Sequence, residues 1–163
     1  MRQLIVLFAF VLVSACWQDG ESHTIIEARV AIVYDGDSFL VKRGSNEIEV
    51  RLYGIDAPEQ SQPWSANARS GLNKLIFGKM LRIETVERDR YERVVARVYR
   101  VSDGLYINAK MIEQGHAWVY RRYSDDRQLI RLEKTAKKDA AGLWQLPENQ
   151  RIPPWDWRKE HSS

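Results

Sequence analysis

The feature that most restricts the fold of this chain is a series of short β-rich runs near its N-terminal side, separated by turn signals. An Asp-Gly pair at 35–36 and a Gly-Ser-Asn stretch at 44–46 lie between the runs, and both are typical of β-hairpins. We therefore predict three antiparallel strands that pair in consecutive order. These runs cover residues 26–34, 38–42 and 48–54.

The sequence that follows alternates between helical spacing and further β-rich runs. Apolar residues recur with helical spacing over 65–77, and Gly78 is a typical helix end. Because five strands with a helix between the third and the fourth have the order of an OB-type barrel, we predict an α+β, mainly β, fold with additional C-terminal helices. The two further strands are predicted at 80–86 and 94–101, and the C-terminal helices at 107–114 and 127–141.

One folded domain accounts for most of the chain. A chain of 163 residues, 44% of them hydrophobic, can bury one sizeable core but hardly two. We assign residues 25–144 to this domain, with a short linker at 16–24 and a tail rich in proline and tryptophan at 145–163. Since proline interrupts regular structure, we expect the tail to be irregular in part and to lie across the domain, held by its tryptophans.

Residues 1–15 have the pattern of an export signal. An apolar run at 4–15, broken only by Ser14, follows Arg2 and is too short to span a bilayer. The Val-Ser-Ala-Cys stretch that ends at Cys16 resembles the lipobox of bacterial lipoproteins, which implies lipidation of Cys16 and a location in the cell envelope. Ordinary cleavage before Cys16, giving a soluble secreted or periplasmic protein, is the alternative.

Two short segments carry acidic residues where loops leave the predicted strands. Asp37 lies at the first hairpin, where Asp-Gly pairs are common, so it could serve the turn alone. Asp56 and Glu59 follow the third strand in a loop stiffened by Pro58, and loop carboxylates on a rigid base are typical of functional sites. Arg51 lies near the same end of the barrel; a surface ion pair with Glu59 is the alternative for it.

A third charged segment, Asp-Arg-Tyr-Glu-Arg at 89–93, forms the turn before the last predicted strand. Taken alone it could be a solvated hairpin tip. Read in order, the three segments resemble the elements of the thermonuclease, or staphylococcal-nuclease-like, domain family. Those elements are Asp-Gly-Asp followed by Ser or Thr, then R-x-x-x-x-D-x-P-E, then Asp-(Arg/Lys)-Tyr-Gly-Arg. The resemblance covers about 25–144.

This resemblance implies a calcium site. Asp37 and Asp56 match the carboxylate ligands of the family, and the backbone carbonyl of Ala57 matches a third ligand. An all-oxygen site of this kind suits Ca²⁺. Because the protein ligands are few, we expect weak metal binding that the substrate phosphate helps to complete.

The resemblance also implies the catalytic residues. Glu59 matches the candidate general base, which activates or orients the attacking water, and Arg51 and Arg93 match two arginines that bind the scissile phosphate. Phosphodiester hydrolysis independently requires such a set, since negative charge builds on the phosphate oxygens and guanidinium groups with a hard cation stabilise it. Glu92 stands where the family usually has glycine. If that position needs a positive φ, glutamate costs about 1 kcal/mol there.

Further residues are candidates for substrate contacts. They are Arg90, Tyr91, Arg121 and Tyr123. Tyr91 matches a tyrosine that contacts phosphate in the family, with packing at a strand edge as the alternative. The segment 117–123 interleaves aromatic residues with arginines, which suits base stacking and phosphate binding. An amphipathic strand with a buried Trp118 is the alternative for that segment.

The function implied by the resemblance is an exported, calcium-dependent endonuclease. It would cleave DNA and RNA with little sequence preference and leave 3′-phosphate and 5′-hydroxyl ends. The formal net charge of +3 is compatible with a nucleic-acid partner and does not identify one. A non-catalytic OB-type nucleic-acid-binding module and an envelope lipoprotein with a structural role are the alternatives. No obligate protein partner is inferred, and a monomer is the default.

Overall fold

The computed structural model describes residues 24–161, and its first three strands are consecutive and antiparallel. They are β1 (Ile25–Val33), β2 (Ser38–Arg43) and β3 (Asn46–Leu52). This order confirms the prediction made from the turn signals. Ile26, Ala28 and Val30 are buried while the residues between them are more exposed, so β1 turns one face to the core.

Two further strands, β5 (Met80–Arg88) and β6 (Val94–Arg100), close a barrel with the first three. Between β3 and β5 lie the short strand β4 (Ile55–Asp56), which is outside the barrel, and the helix α1 (Ser65–Ile76). β5 pairs antiparallel with β1 and with β6, and β6 pairs parallel with β3, so the strand order is β1-β2-β3-β6-β5. With α1 between the third and the next long strand, the predicted OB-type α+β barrel is confirmed.

Alternation along β3 places a charged residue on the outside of this barrel. Val50 and Leu52 are fully buried in the core, and the residue between them, Arg51, points the other way. In the parallel pair with β6, Arg51 lies opposite Val95, two positions after Arg93. The outer surface at β3 and β6 therefore carries two of the predicted site residues.

The C-terminal part adds helices and a second, very short sheet. Its elements are α2 (Ile107–Glu113), β7 (Trp118–Val119), α3 (Arg127–Lys138), two short 3₁₀ turns (Gly142–Gln145 and Glu148–Gln150) and α4 (Pro154–His161). β7 pairs antiparallel with β4, so that Asp56 lies opposite Trp118. Within the part of the chain that the structure describes, no helix is long and apolar enough to cross a membrane.

The tail is more regular than the sequence suggested, because it contains α4. Pro154 opens this helix, a position that proline tolerates since no intrahelical partner awaits its nitrogen. Trp155 stacks on Tyr120 with ring centroids 5.2 Å apart and an interplanar angle of 1°. A tryptophan thus holds the tail against the domain, as predicted. The export signal and Cys16 lie outside the described residues.

Candidate active site

At the first hairpin, Asp35 and Asp37 have different roles, which the sequence alone did not distinguish. One carboxylate oxygen of Asp35 accepts the backbone N–H of Asp37 at 2.9 Å and that of Ser38 at 2.7 Å, so Asp35 stabilises the turn. Asp37 is only 3% exposed. Its carboxylate accepts the Ser38 hydroxyl and the backbone N–H of Ala57, both at 2.8 Å. Asp37 is therefore buried and fixed, and it is not merely a turn residue.

Arg51 connects the two buried aspartates of the predicted site. Its Nη1 donates to Asp37 Oδ1 at 2.9 Å, and its Nη2 donates to Asp56 Oδ1 at 2.7 Å. The planar guanidinium suits this bridging contact. A surface ion pair between Arg51 and Glu59 was the alternative, and it is wrong because Glu59 pairs with Arg158 while Arg51 pairs with the two aspartates. These carboxylates raise the pKa of Arg51, chiefly through the charge of Asp37.

A second arginine reaches the site from α4 and was not predicted. Arg158 Nη2 donates to Asp56 Oδ2 at 2.7 Å, and its Nη1 lies 3.3 Å from Asp56 Oδ1. The same Nη1 also donates to Glu59 Oε1. Nothing in the sequence connects Arg158 with Glu59, because 99 positions separate them and the intervening tail carries no recognisable motif.

The cluster contains more carboxyl groups than guanidinium groups. Four carboxylates, those of Asp35, Asp37, Asp56 and Glu59, face two guanidinium groups. Burial, and next the charge of Asp37, raises the pKa of Asp35 to about 7. Burial likewise raises the pKa of Asp56, against the hydrogen bond from Arg158, which lowers it. An additional cation would relieve this crowding of carboxylates.

The residues present fit a hard cation held by few protein ligands. Among residues 24–161, no three side chains of His, Cys, Asp or Glu converge as a metal cage. Asp37 Oδ2 and Asp56 Oδ2 each accept one hydrogen bond, which leaves each oxygen a lone pair for another partner. With the carbonyl of Ala57, they would form the all-oxygen set that suits Ca²⁺.

A polar cleft of about 780 Å³ gives access to this cluster. It lies between the first hairpin, the loop that carries Glu59, and α1. The charged residues among its lining are Asp35, Asp37, Arg51, Glu59 and Arg69. Charged groups of both signs in one open cleft suit a polar substrate with bound water.

The turn at 89–93 places Arg93 and confirms the backbone expectation for Glu92. Glu92 has a φ of 63°, in the left-handed region that favours glycine. Arg93 Nε donates to Asp89 Oδ2 at 2.8 Å. The guanidinium groups of Arg90 and Arg93 lie 4.7 Å and 5.5 Å from the ring of Tyr91, which is 63% exposed. Tyr91 therefore contacts arginines at the surface and does not pack into a strand edge.

Some side chains of the segment 117–123 are buried in the fold and others are exposed to solvent. Trp118 is buried in β7, which agrees with the alternative of an amphipathic strand. Arg121 pairs with Glu133 of α3 at 3.1 Å, so the structure does not bring it to the aspartate cluster. Tyr123 is half exposed and meets Tyr120 edge-on, with centroids 4.8 Å apart.

Comparison with known protein families shows which family this chain belongs to. The model of the family described as "Staphylococcal nuclease homologue" matches residues 49–146. The chain belongs to the staphylococcal nuclease homologue family. The matched residues include Arg51, Asp56, Glu59 and Arg93, and they begin after Asp37.

Similar family members share most of their length with this chain. A protein of Haemophilus influenzae described as an uncharacterized endonuclease is 34% identical over 156 residues, which are 95% of this chain and 83% of that protein. An uncharacterized endonuclease of Escherichia coli is 36% identical over 133 residues, covering 82% and 85% of the two chains. A micrococcal nuclease of Shigella flexneri is 32% identical over 168 residues, covering 98% and 92%. The prediction of a thermonuclease-like endonuclease is confirmed at the level of the family.

Proposed function

We propose that this member of the staphylococcal nuclease homologue family is a calcium-dependent phosphodiesterase that acts on DNA and RNA with little sequence specificity. The products would carry 3′-phosphate and 5′-hydroxyl ends. One observation carries the proposal: Arg51 bridges Asp37 and Asp56 at a cleft that Glu59 also lines. These are the residue types that hydrolysis of a phosphodiester requires.

Two arginines bind the scissile phosphate in this proposal. Arg51 has a planar fork held between two carboxylates, so its direction is fixed before substrate arrives. Arg93 uses Nε and Nη2 on Asp89. Within the described part of the chain, Nη1 of Arg93 has no hydrogen-bond partner and stays available for a phosphate oxygen.

Glu59 acts as the general base. It accepts a proton from water while the water oxygen forms a bond to phosphorus. The bond between phosphorus and the 5′ oxygen breaks, that oxygen takes up a proton from solvent water to become the 5′-hydroxyl, and Glu59 returns its proton to solvent. The phosphate stays on the 3′ side. Arg51 and Arg93 stabilise the negative charge that builds on the non-bridging oxygens.

Asp37, Asp56 and the carbonyl of Ala57 would hold the calcium ion of the proposed site. Once bound, the ion would supply electrostatic stabilisation of the charge that develops on the phosphate. Asp37 and Asp56 are fixed by their hydrogen bonds, so they need little rearrangement to hold it. Few protein ligands imply weak affinity without substrate.

The surface near Arg93 serves as the substrate contact. Arg90 and Tyr91 are exposed and adjacent, which suits phosphate binding and base stacking on one short turn. Tyr123 presents a half-exposed ring for the same purpose. Arg121 is committed to Glu133, and we assign it only a secondary, electrostatic contribution to substrate binding.

Cleavage of single-stranded DNA by the mature protein in calcium and in chelator tests the proposal. We expect cleavage in calcium, none in chelator, and a large loss of rate in Glu59→Gln. Glu47→Gln is the matched control, because Glu47 is exposed and pairs with Lys42 on the surface. Undiminished cleavage by Glu59→Gln would remove Glu59 from the mechanism.

The same assay separates the alternatives. Binding of the oligonucleotide without cleavage in calcium would favour a non-catalytic OB-type module. Neither binding nor cleavage would favour a structural role in the envelope. Mass spectrometry of the products reports which end carries the phosphate.

The proposed location is the cell envelope, with a lipid on Cys16 as the membrane anchor. The proposal is supported by the lipobox-like Val-Ser-Ala-Cys stretch and the apolar run before it. Metabolic labelling with palmitate should mark the wild-type protein and leave Cys16→Ser unmarked. If the wild-type protein carries no label and Cys16→Ser is still exported normally, the protein is exported in soluble form instead.

A further inference from the structure

We infer that Arg158 is a positioning residue of the active site, which holds the carboxylate of Glu59 in place for reaction with water. The inference rests on the proposed function of Glu59 as general base. It assigns to the C-terminal helix α4 a part in catalysis, although α4 lies beyond the residues 49–146 that match the family.

The contacts of Arg158 with Asp56 fix the guanidinium that donates to Glu59. Asp56 is 1% exposed, and both of its carboxylate oxygens face the two terminal nitrogens of Arg158. A guanidinium group held by two hydrogen bonds has little freedom to rotate. Its Nη1 then donates to Glu59 Oε1, so the rigid pair of Asp56 and Arg158 sets the position of that oxygen.

Glu59 depends on this contact for its orientation. Its side chain is 39% exposed and lies in a loop, where a glutamate normally samples several rotamers. In the described part of the chain, Arg158 is the only hydrogen-bond partner of the Glu59 carboxylate. The second oxygen, Oε2, is left to accept a proton from water in the cleft that Glu59 lines.

The side chain of Gln62 also joins the loop of Glu59 to the tail. Gln62 is only 3% exposed; its side-chain oxygen accepts the backbone N–H of Glu59 at 3.0 Å, and its amide nitrogen donates to the carbonyl of Ile152. Trp155 stacks on Tyr120 one helical turn before Arg158. The tail is thus anchored at two points shortly before Arg158.

These anchors favour positioning over inhibition by the same guanidinium. An inhibitory contact would need the Arg158 side chain to leave when substrate and cation bind, yet its guanidinium is paired with the buried Asp56 and its helix is held by Trp155. Among residues 24–161, the hydrogen bond from Arg158 Nη2 uses one lone pair of Asp56 Oδ2, and the oxygen has a second lone pair for a cation. The two functions of Asp56, anchoring Arg158 and meeting a cation, are therefore compatible.

Steady-state cleavage by the mature protein tests the inference, with calcium saturating for each variant. We expect Arg158→Gln to lower kcat by about 10- to 100-fold, as for other groups that orient a reacting residue, and to leave KM within about threefold. Arg158→Lys keeps the charge and should recover part of the rate. Lys159→Gln is the matched control, since it removes one positive charge from the adjacent, exposed position of α4 and should cleave like the wild type.

Two measurements separate positioning from damage to the fold or the cation site. Calcium binding by calorimetry should be no weaker in Arg158→Gln than in the wild type, because a positive charge beside Asp56 has been removed. Amide hydrogen exchange should increase over residues 57–62 in Arg158→Gln and stay unchanged in Lys159→Gln. In a double-mutant cycle, Arg158→Gln should cost almost nothing on a Glu59→Gln background, since Arg158 acts through Glu59.

Each contrary result has its own meaning. Three results would overturn the inference and leave the calcium-dependent nuclease in place. They are a kcat of Arg158→Gln equal to or above that of the wild type, independent losses in the double-mutant cycle, and an Arg158→Lys variant as slow as Arg158→Gln. Weaker calcium binding, with the rate restored at saturation, would overturn it too, by moving the role of Arg158 to the cation site. A wild-type protein that does not cleave, or a Glu59→Gln variant that cleaves normally, would overturn the proposed function and this inference together.

Discussion

Arg158 donates to both carboxylate oxygens of Asp56, a residue 102 positions earlier in the chain. Asp56 is almost fully buried, and an unpaired charge in such a place is strongly unfavourable. The hydrogen bond from Arg158 opposes the rise in the pKa of Asp56 that burial causes. The tail therefore stabilises the ionised form of a carboxylate that the barrel buries.

The bridge made by Arg51 predicts a large loss of stability on its removal. Arg51→Met keeps the length of the side chain but leaves Asp37 and Asp56 without their shared partner, so we expect a loss of about 3 kcal/mol in the free energy of unfolding. Lys42→Met is the control, because Lys42 and Glu47 form an exposed pair and should contribute less than about 1 kcal/mol. Urea denaturation measures both; equal losses would show that the bridge has no special role.

The left-handed backbone at Glu92 predicts that glycine is preferred there. Glu92→Gly should raise the free energy of unfolding by about 1 kcal/mol, because glycine adopts a φ of 63° without a steric cost. Glu92→Ala removes the same carboxylate and keeps the strain, so it should give no such gain. We also expect Glu92→Gly to retain or increase activity. A large loss of activity would assign the glutamate a positive role.

Close packing against α1 predicts that one helix glycine cannot be replaced. A Cβ on Gly71 would lie 2.5 Å from the ring of His116, so Gly71→Ala should destabilise the protein by about 1–3 kcal/mol. Helix propensity alone predicts the opposite, a gain of about 1 kcal/mol. Asn67→Ala, at an exposed position of the same helix, should follow propensity. Thermal unfolding distinguishes the two, and a stabilised Gly71→Ala would mean that the ring moves aside at little cost.

The environment of His116 predicts a dependence of stability on pH. Trp64 Nε1 donates to His116 Nδ1 at 3.1 Å, which requires that this nitrogen carry no proton. Burial, and then the charge of Lys74, lowers the pKa of His116 below its usual 6.5. Protonation thus favours the unfolded chain, so the stabilisation is present above pH 6.5 and is lost as the pH falls through the folded value.

The measurement for His116 compares the wild type with His116→Asn by urea denaturation at pH 7.5 and at a pH well below 6.5. Carboxylates elsewhere titrate in both proteins. The informative quantity is therefore the difference between the free energies of unfolding of the wild type and of His116→Asn. We expect the advantage of the wild type to shrink at the lower pH. A difference that does not change with pH would contradict the assignment.

Local patterns were sufficient for the barrel strands and the first three helices. The strands follow from alternation and turn residues, both of which act over a few positions. β4 was missed because two residues are too few to show a period, and β7 was anticipated only as the alternative for 117–123. The helix α4 was missed because prolines and tryptophans in the tail suggested irregular structure, while in the fold Pro154 simply begins the helix.

The sequence by itself determined the barrel, through alternation and turn residues that act over short spacings. It pointed to the group of Asp37, Arg51, Asp56 and Glu59 only through the resemblance of three motifs, in order, to a known family. Only the tertiary structure decided which charges meet. It assigned the turn to Asp35, gave Arg51 to the two aspartates, and brought Arg158 to Asp56 and Glu59. The physical reason is that buried carboxylates need partners wherever folding can bring them, and distance along the sequence does not restrict that choice.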